Sequence, residues 1–313
     1  MRSPLLLICC ALLSSLCFAA GPRATESTNA TCTAEVVVNA FDSATKADLR
    51  GLSSSDFEAR ALGRDYAVVK ADPVLHNRVL VLVDARGASS FTQARAIAEM
   101  VRDEVPSEMP IAFGLIAQQA ALTRGFYSDY DVFGAAIQKV FSRFHKASGS
   151  KGASLEAALR QGLELFGSAR SGDTVLLITS GTGEERLNIR KLAREFNEHQ
   201  VRLQLLMPGE STSSENALSV FSSWDAADHF SSRLLQLAAR TGGALMGFMN
   251  QDWLDAASSG YTLFINLPQN SGKLMKLDLR EKQGNADLFY PEQVAGCTAT
   301  YSASAATKTS VLP

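Results

Sequence analysis

The stretch RVLVLVDARGASSF, residues 78–91, decides how this chain is read. Val and Leu alternate from Val79 to Val83, run straight into Asp84, and give way to a Gly- and Ser-rich turn. A short, uninterrupted apolar run of this kind is the pattern of a strand buried on both faces. Its last residue then delivers a carboxylate to the top of a sheet. The segment that follows, FTQARAIAEMVRDEV, carries apolar residues at helical spacing and predicts a helix.

The same alternation continues downstream. PIAFGLIAQQAALTRGF supplies a buried strand and a short edge strand, and DVFGAAIQKVFSRF and SLEAALRQGLELFGSA predict two amphipathic helices separated by the loop KASGSKGA. DTVLLITS is a strand, LNIRKLAREFNEHQ a helix, VRLQLLMP a strand, SRLLQLAARTGG a helix closed by Gly, and ALMGFM a last strand. Buried strands alternating with helices specify an α/β fold with a doubly wound, mostly parallel sheet covered on both faces. In such sheets ligands bind beyond the C-terminal ends of the strands. Asp84 lies at one such end, and Thr179 and Ser180 at another.

Upstream and downstream the rhythm is that of β structure. AEVVVNAFD is a strand, and DFEAR and YAVVK read as two short strands around the turn at Gly63. After the α/β region, GYTLFINLP, KLMKLDLR and NADLFYP read as three more. The expected organisation is a disordered lead-in over 21–32, an N-terminal β segment over 33–74, an α/β domain over 75–250, a C-terminal β segment over 251–297 and a disordered tail over 298–313. The two β segments form a small flanking module if they pack together.

Residues 1–20 have one Arg, an apolar run from Leu5 to Phe18 and then small residues, the layout of a secretory signal peptide with cleavage near Ala19 or Ala20. A lipoprotein with Cys17 as the lipidated residue is the competing reading. An exported protein, periplasmic or extracellular, is therefore expected. Its mature chain would keep two of five cysteines, Cys32 and Cys297, in a compartment where disulfides persist. A structural disulfide between the first strand and the last is the plain reading of this pair, and a reactive thiol pair the other. Asn29-Ala30-Thr31 matches a glycosylation sequon.

Composition excludes several functions. With 30 Lys and Arg against 32 Asp and Glu, the chain has no basic excess for nucleic acid, and no later segment is apolar enough to span a membrane. His76, His145, His199 and His229 show no metal-binding spacing, Gly-x-Ser-x-Gly is absent, and no Gly-rich turn ends in Gly-Lys-Ser/Thr. Ser148 and Ser150 lie near His145, but within a plain Gly/Ser/Lys loop. Trp224 in SVFSSWDAADHF reads as a residue packed under its own loop, or as an aromatic anchor for a partner.

Three segments together resemble the von Willebrand factor A-related domains of secreted bacterial proteins. They are VVVNAFD…LRGLSSSDFEARALGRDYAVV, the VLVLVD strand with its following helix, and SSGYTLFINLP…KLMKLDLR. The resemblance implies a von Willebrand factor A fold and a non-catalytic, protein-binding role. It also implies a metal-ion-dependent adhesion site, with D-x-S-x-S after the first strand, a Thr in a second loop and an Asp in a later T-D-G run. Hard cations such as Mg²⁺ take oxygen ligands in near-octahedral order, which accounts for that residue choice. Here Asp84 matches the first Asp, while Arg86 and Ala88 fill the two Ser positions. Ala153 fills the Thr position, with Ser154 one residue late, and Ser180 replaces the later Asp.

The expectation is thus a decayed site in which Arg86 takes the cation's place beside Asp84, and binding that needs no cofactor. The binding-loop candidates are Asp84, Arg86, Ser89, Ser150, Ser154, Ser180, Thr182 and Glu184. The alternative is a divalent cation in a shifted site of Asp84, Ser89, Ser90, Ser154 and Ser180, completed by Glu184 or Glu185, supporting metal-dependent adhesion. A second alternative is an exported hydrolase. The partner is an unidentified protein.

Overall fold

The structure, a computed structural model, describes residues 31–45, 47–74, 78–86, 90–104, 109–117, 119–144, 154–168, 170–179, 187–207, 229–246, 260–269 and 272–296. At its centre lies a six-stranded sheet of β5 (Val79–Asp84), β6 (Ile111–Ile116), β7 (Ala120–Leu122), β8 (Asp173–Ile178), β9 (Val201–Leu206) and β10 (Leu245–Met246). Their spatial order is β10-β9-β8-β5-β6-β7. All neighbours are parallel except the edge pair β6–β7, which is antiparallel. This is the doubly wound α/β sheet that the strand–helix alternation predicts.

The helices are α1 (Ser90–Glu104), α2 (Tyr130–Phe144), α3 (Leu155–Phe166), α4 (Ile189–Glu198) and α5 (His229–Arg240). Side chains alternate across a strand, so β5 feeds two cores. Val79, Val81 and Val83 pack with α1 and α2, whereas Leu80 and Leu82 pack with α3, α4 and α5. That division explains why β5 has no polar residue before Asp84: both faces are dry.

The flanks build a β-sandwich. One sheet has the order β13-β1-β11-β4 and the other β14-β12-β2-β3, from β1 (Thr31–Asp42), β2 (Phe57–Ala61), β3 (Arg64–Tyr66), β4 (Val68–Pro73), β11 (Tyr261–Pro268), β12 (Leu274–Glu281), β13 (Ala286–Phe289) and β14 (Gln293–Ala295). Both sheets combine strands from before and after the α/β region: they alternate in the first and meet at the β12–β2 pair in the second. Val36, Val38 and Phe57 from the first segment share one core with Leu263, Ile265 and Leu277 from the second.

Three sequence expectations need correction. β1 begins at Thr31, inside the stretch expected to be a lead-in. YAVVK is not one strand: Tyr66 ends β3 in one sheet, and Val68 opens β4 in the other, where it pairs with β11. QVA, unassigned from sequence, forms β14 on β12. The remainder of the lead-in, the tail and Cys297 lie outside the described residues, as do Cys17 and Trp224.

The Gly260-Tyr261 pair shows why two of the resembling segments belong together. Gly260 has φ 128°, and a Cβ there would stand 2.6 Å from both the Val38 carbonyl oxygen and Asn39 Oδ1. Beside it, the Tyr261 hydroxyl donates to the Leu49 carbonyl at 2.8 Å and accepts from the Leu52 N–H at 3.2 Å. One side chain thereby satisfies two backbone groups of the loop leading into LSSSDFE. Tyr261→Phe leaves both without that partner, and is expected to lower stability by about 1–2 kcal/mol. Urea denaturation checks this, with an unchanged m-value expected.

The α/β sheet and the sandwich meet at Arg202, at the start of β9, which is 4% exposed. Its guanidinium donates to Asn39 Oδ1 at 2.6 Å and to Thr174 Oγ1 at 2.9 Å. Burial pushes its pKa down to about 10. Near it, Thr241 bridges to Pro291, and the Glu292 N–H donates to the Arg240 carbonyl at 3.0 Å.

Candidate functional site

Counted from β5, the strands of the α/β sheet lie in the order 6-5-4-1-2-3. The connections change direction between the first and fourth strands, β5 and β8. That gap is the topological switch point, where open α/β sheets place their ligand crevice. The register sets Val83 opposite Ile178, so Asp84 and Thr179 emerge side by side at its rim.

At this rim the Asp84 side chain is 6% exposed, and its carboxylate accepts four hydrogen bonds. Arg86 Nε donates to Oδ1 at 2.8 Å, and Arg86 Nη2 to Oδ2 at 2.8 Å, a bidentate fork. The Arg86 backbone N–H reaches Oδ1 at 3.3 Å, and the Thr179 hydroxyl donates to Oδ2 at 3.1 Å. A carboxylate offers about four lone-pair sites. All are taken by donors.

Local structure makes this geometry. The Ala85 N–H donates to the Ile116 carbonyl at 2.7 Å and the Thr179 N–H to the Leu206 carbonyl at 3.0 Å. Each strand end is thus tied to its neighbour one residue beyond the ladder. Ala85 is buried, so the chain turns outward only at Arg86, and a two-residue reach brings the guanidinium back onto the carboxylate. The Arg86 side chain is 22% exposed.

These residues do not fit a divalent cation. A metal would have to displace a guanidinium from both oxygens of its first carboxylate, and the guanidinium's charge opposes the ion. Among the described residues no cluster of three His, Cys, Asp or Glu side chains is placed to hold one. Ser154 uses its oxygen to cap α3, accepting from the Ala157 N–H at 3.3 Å. Ser90 opens α1.

Ser89, Ser150, Ser180, Thr182, Glu184 and Glu185 lie outside the described residues. So the structure brings Asp84 and Arg86 together and places Ser154 at a helix start. Thr179, placed at a strand end by the sequence but left out of the binding-loop candidates, joins the site through its bond to Asp84. Its signal was present, as the Thr of an I-T-S-G run at the end of the strand next to β5. Of the four histidines, His199 caps α4 through its backbone N–H and His229 opens α5, while His76 and His145 fall outside the described residues.

The mostly parallel sheet with its single antiparallel edge, and the carboxylate at the end of its first strand, define a doubly wound α/β domain with a polar switch point. No family model and no curated protein match the chain. Solved structures do resemble it. A conserved hypothetical protein BatB from Bacteroides thetaiotaomicron is 14% identical, with 58% of this chain and 94% of that one covered and a TM-score of 0.40. A von Willebrand factor type A protein from Catenulispora acidiphila is 14% identical, covering 80% and 76%, with a TM-score of 0.39. Proximal thread matrix protein 1 from the mussel byssus, with a zinc-occupied MIDAS motif, is 15% identical, covering 63% and 50%, with a TM-score of 0.44.

Proposed function

We propose that this chain is an exported, non-catalytic protein-binding module that engages its partner without a divalent cation, through the loops around the switch point. The observation that carries this reading is the saturation of Asp84. An internal guanidinium occupies the carboxylate that a cation would need, and a rigid sheet presents the surrounding loops. Arg86, Ser89, Ser150, Ser154, Ser180, Thr182 and Glu184 are the residues proposed to line the binding surface with Asp84 beneath them.

Export is supported by the apolar leader, and no helix among the described residues is long and apolar enough to cross a membrane. Cell fractionation distinguishes a periplasmic from an extracellular location. A disulfide between Cys32, on β1, and Cys297 is proposed to pin the two halves of the sandwich. Non-reducing peptide mapping of the purified protein tests the pairing.

Thermal unfolding tests the cation-free reading. A cation at about a hundred times its Kd adds about 2.7 kcal/mol, which is a rise of several degrees for a domain of this size. The expected result is the same Tm in EDTA as with millimolar Mg²⁺, Mn²⁺ or Ca²⁺. In Arg86→Ser, which releases Asp84 and restores a hydroxyl, those cations are expected to raise Tm. A rise in the unmodified protein that disappears in Asp84→Ala would replace this reading with metal-dependent adhesion through the shifted site.

A further inference from the structure

Four large apolar side chains are exposed among the described residues, and two of them, Tyr130 and Val132, stand in the first turn of α2. This helix buries Phe133, Ile137, Val140 and Phe141 against the sheet. Val132, Ala136, Lys139 and Arg143 follow one another at helical spacing and form a second stripe. That stripe is one wall of a groove of about 470 Å³, whose other wall includes Leu122 of the edge strand β7 and Arg124 just after it.

The groove has an apolar base and a charged rim. Arg124, Lys139 and Arg143 line it against the single carboxylate of Asp131, in a chain whose net charge is −2. Arg143 reaches across one end, its Nη1 donating to the Leu122 carbonyl at 3.4 Å, so the two walls are held in place. Neither Arg124 nor Lys139 forms an ion pair with a described residue. The volume falls in the range of about 300–1,000 Å³ typical of preformed ligand pockets.

We propose that this groove docks an extended acidic segment of a partner protein. An apolar side chain of that segment rests on Val132 and Ala136, and flanking carboxylates face Lys139, Arg124 and Arg143. Charge complementarity selects the acidic partner, and the exposed Val132 gives it a contact that a free anion would not use. The groove lies on the β7 edge of the sheet, three strands from the Asp84–Thr179 gap, and the proposal stands independently of that site.

Fluorescence anisotropy of the intact chain with a labelled peptide alternating Glu and Leu tests this, with a Lys/Leu peptide as control. The acidic peptide is expected to bind and to weaken as salt is raised, and the basic one not to bind. Arg124→Glu combined with Lys139→Glu is expected to reduce affinity by about tenfold or more. Val132→Asp should weaken binding too, with circular dichroism and Tm unchanged in both variants. No binding, equal binding of the two peptides, or affinity indifferent to the charge reversal overturns the proposal. A dimer in sedimentation that Val132→Asp disperses would overturn it as well, and assign the groove to a second copy of the chain.

Discussion

Arg78→Met is expected to destabilise the protein by about 3–5 kcal/mol, the usual result of removing one member of a buried ion pair. Arg78 sits at the N-terminal end of β5, its side chain 12% exposed, and forks onto Asp173, which is 1% exposed at the start of β8. Its Nε donates to Asp173 Oδ1 at 3.0 Å, and Nη2 to Oδ2. Further bonds reach the carbonyls of Phe166 at 2.6 Å and Ser168 at 2.9 Å, just where α3 ends. The guanidinium also lies 5.3 Å and 5.4 Å from the ring centroids of Phe126 and Phe166. One residue thus ties two strands and a helix end together.

The pH dependence separates lost charge pairing from lost packing. Burial already raises the Asp173 pKa, and Arg78 is the main opposing influence. Without Arg78 it rises further. A folded-state pKa above the unfolded value means that the native state binds more protons in that window, so stability falls as pH rises through it. The deficit of Arg78→Met relative to the unmodified protein is therefore expected to be largest near neutral pH and to shrink on acidification. Urea midpoints at a series of pH values measure this. A deficit constant with pH would show that packing alone was lost.

Gly243→Ala is expected to be the more damaging change. A Cβ at Gly243 would stand 1.7 Å from the Leu203 carbonyl oxygen and 2.5 Å from its carbon. Both are backbone atoms of a central strand, so no side-chain rotation relieves the overlap. The surrounding turn is also committed: the Leu203 N–H donates to Thr241 Oγ1 at 3.0 Å, the Ala244 N–H to Gln204 Oε1 at 2.7 Å and the Leu205 N–H to the Ala244 carbonyl at 2.9 Å. A loss above about 4 kcal/mol is expected, in the range reserved for severe overpacking or broken networks. For a chain of this size that lowers Tm by roughly 10 °C. Gly125→Ala is the control, since nothing lies within 4 Å of a Cβ there. Its expected effect is within about 0.5 kcal/mol, and calorimetry of the two variants distinguishes them.

Most of the α/β core was legible in the sequence because strand and helix periodicity are local. Val79 to Val83, and the later runs beginning at Asp173 and Val201, are buried at every position; the first is wholly apolar, while the other two are mostly apolar with Asp173, Thr174, Arg202 and Gln204 among them. The sandwich was less legible. Its strands are short and pair across the whole chain, as when Thr31 lies opposite Pro268. YAVVK shows the limit most clearly. Its alternation is that of one strand, yet β3 and β4 belong to different sheets, because each half finds its partner far away in sequence.

The candidate site divides in the same way. From the sequence alone came Asp84 at a strand end and the expected pairing of Arg86 with Asp84, a reach of only two residues. The tertiary structure alone set Thr179 against Asp84, 95 residues away, because that contact depends on β8 lying beside β5 in a particular register. It alone also placed the basic stripe of α2 across from Arg124. Hydrophobic pattern is written between neighbouring residues, whereas strand order and register are settled by which distant faces bury one another best.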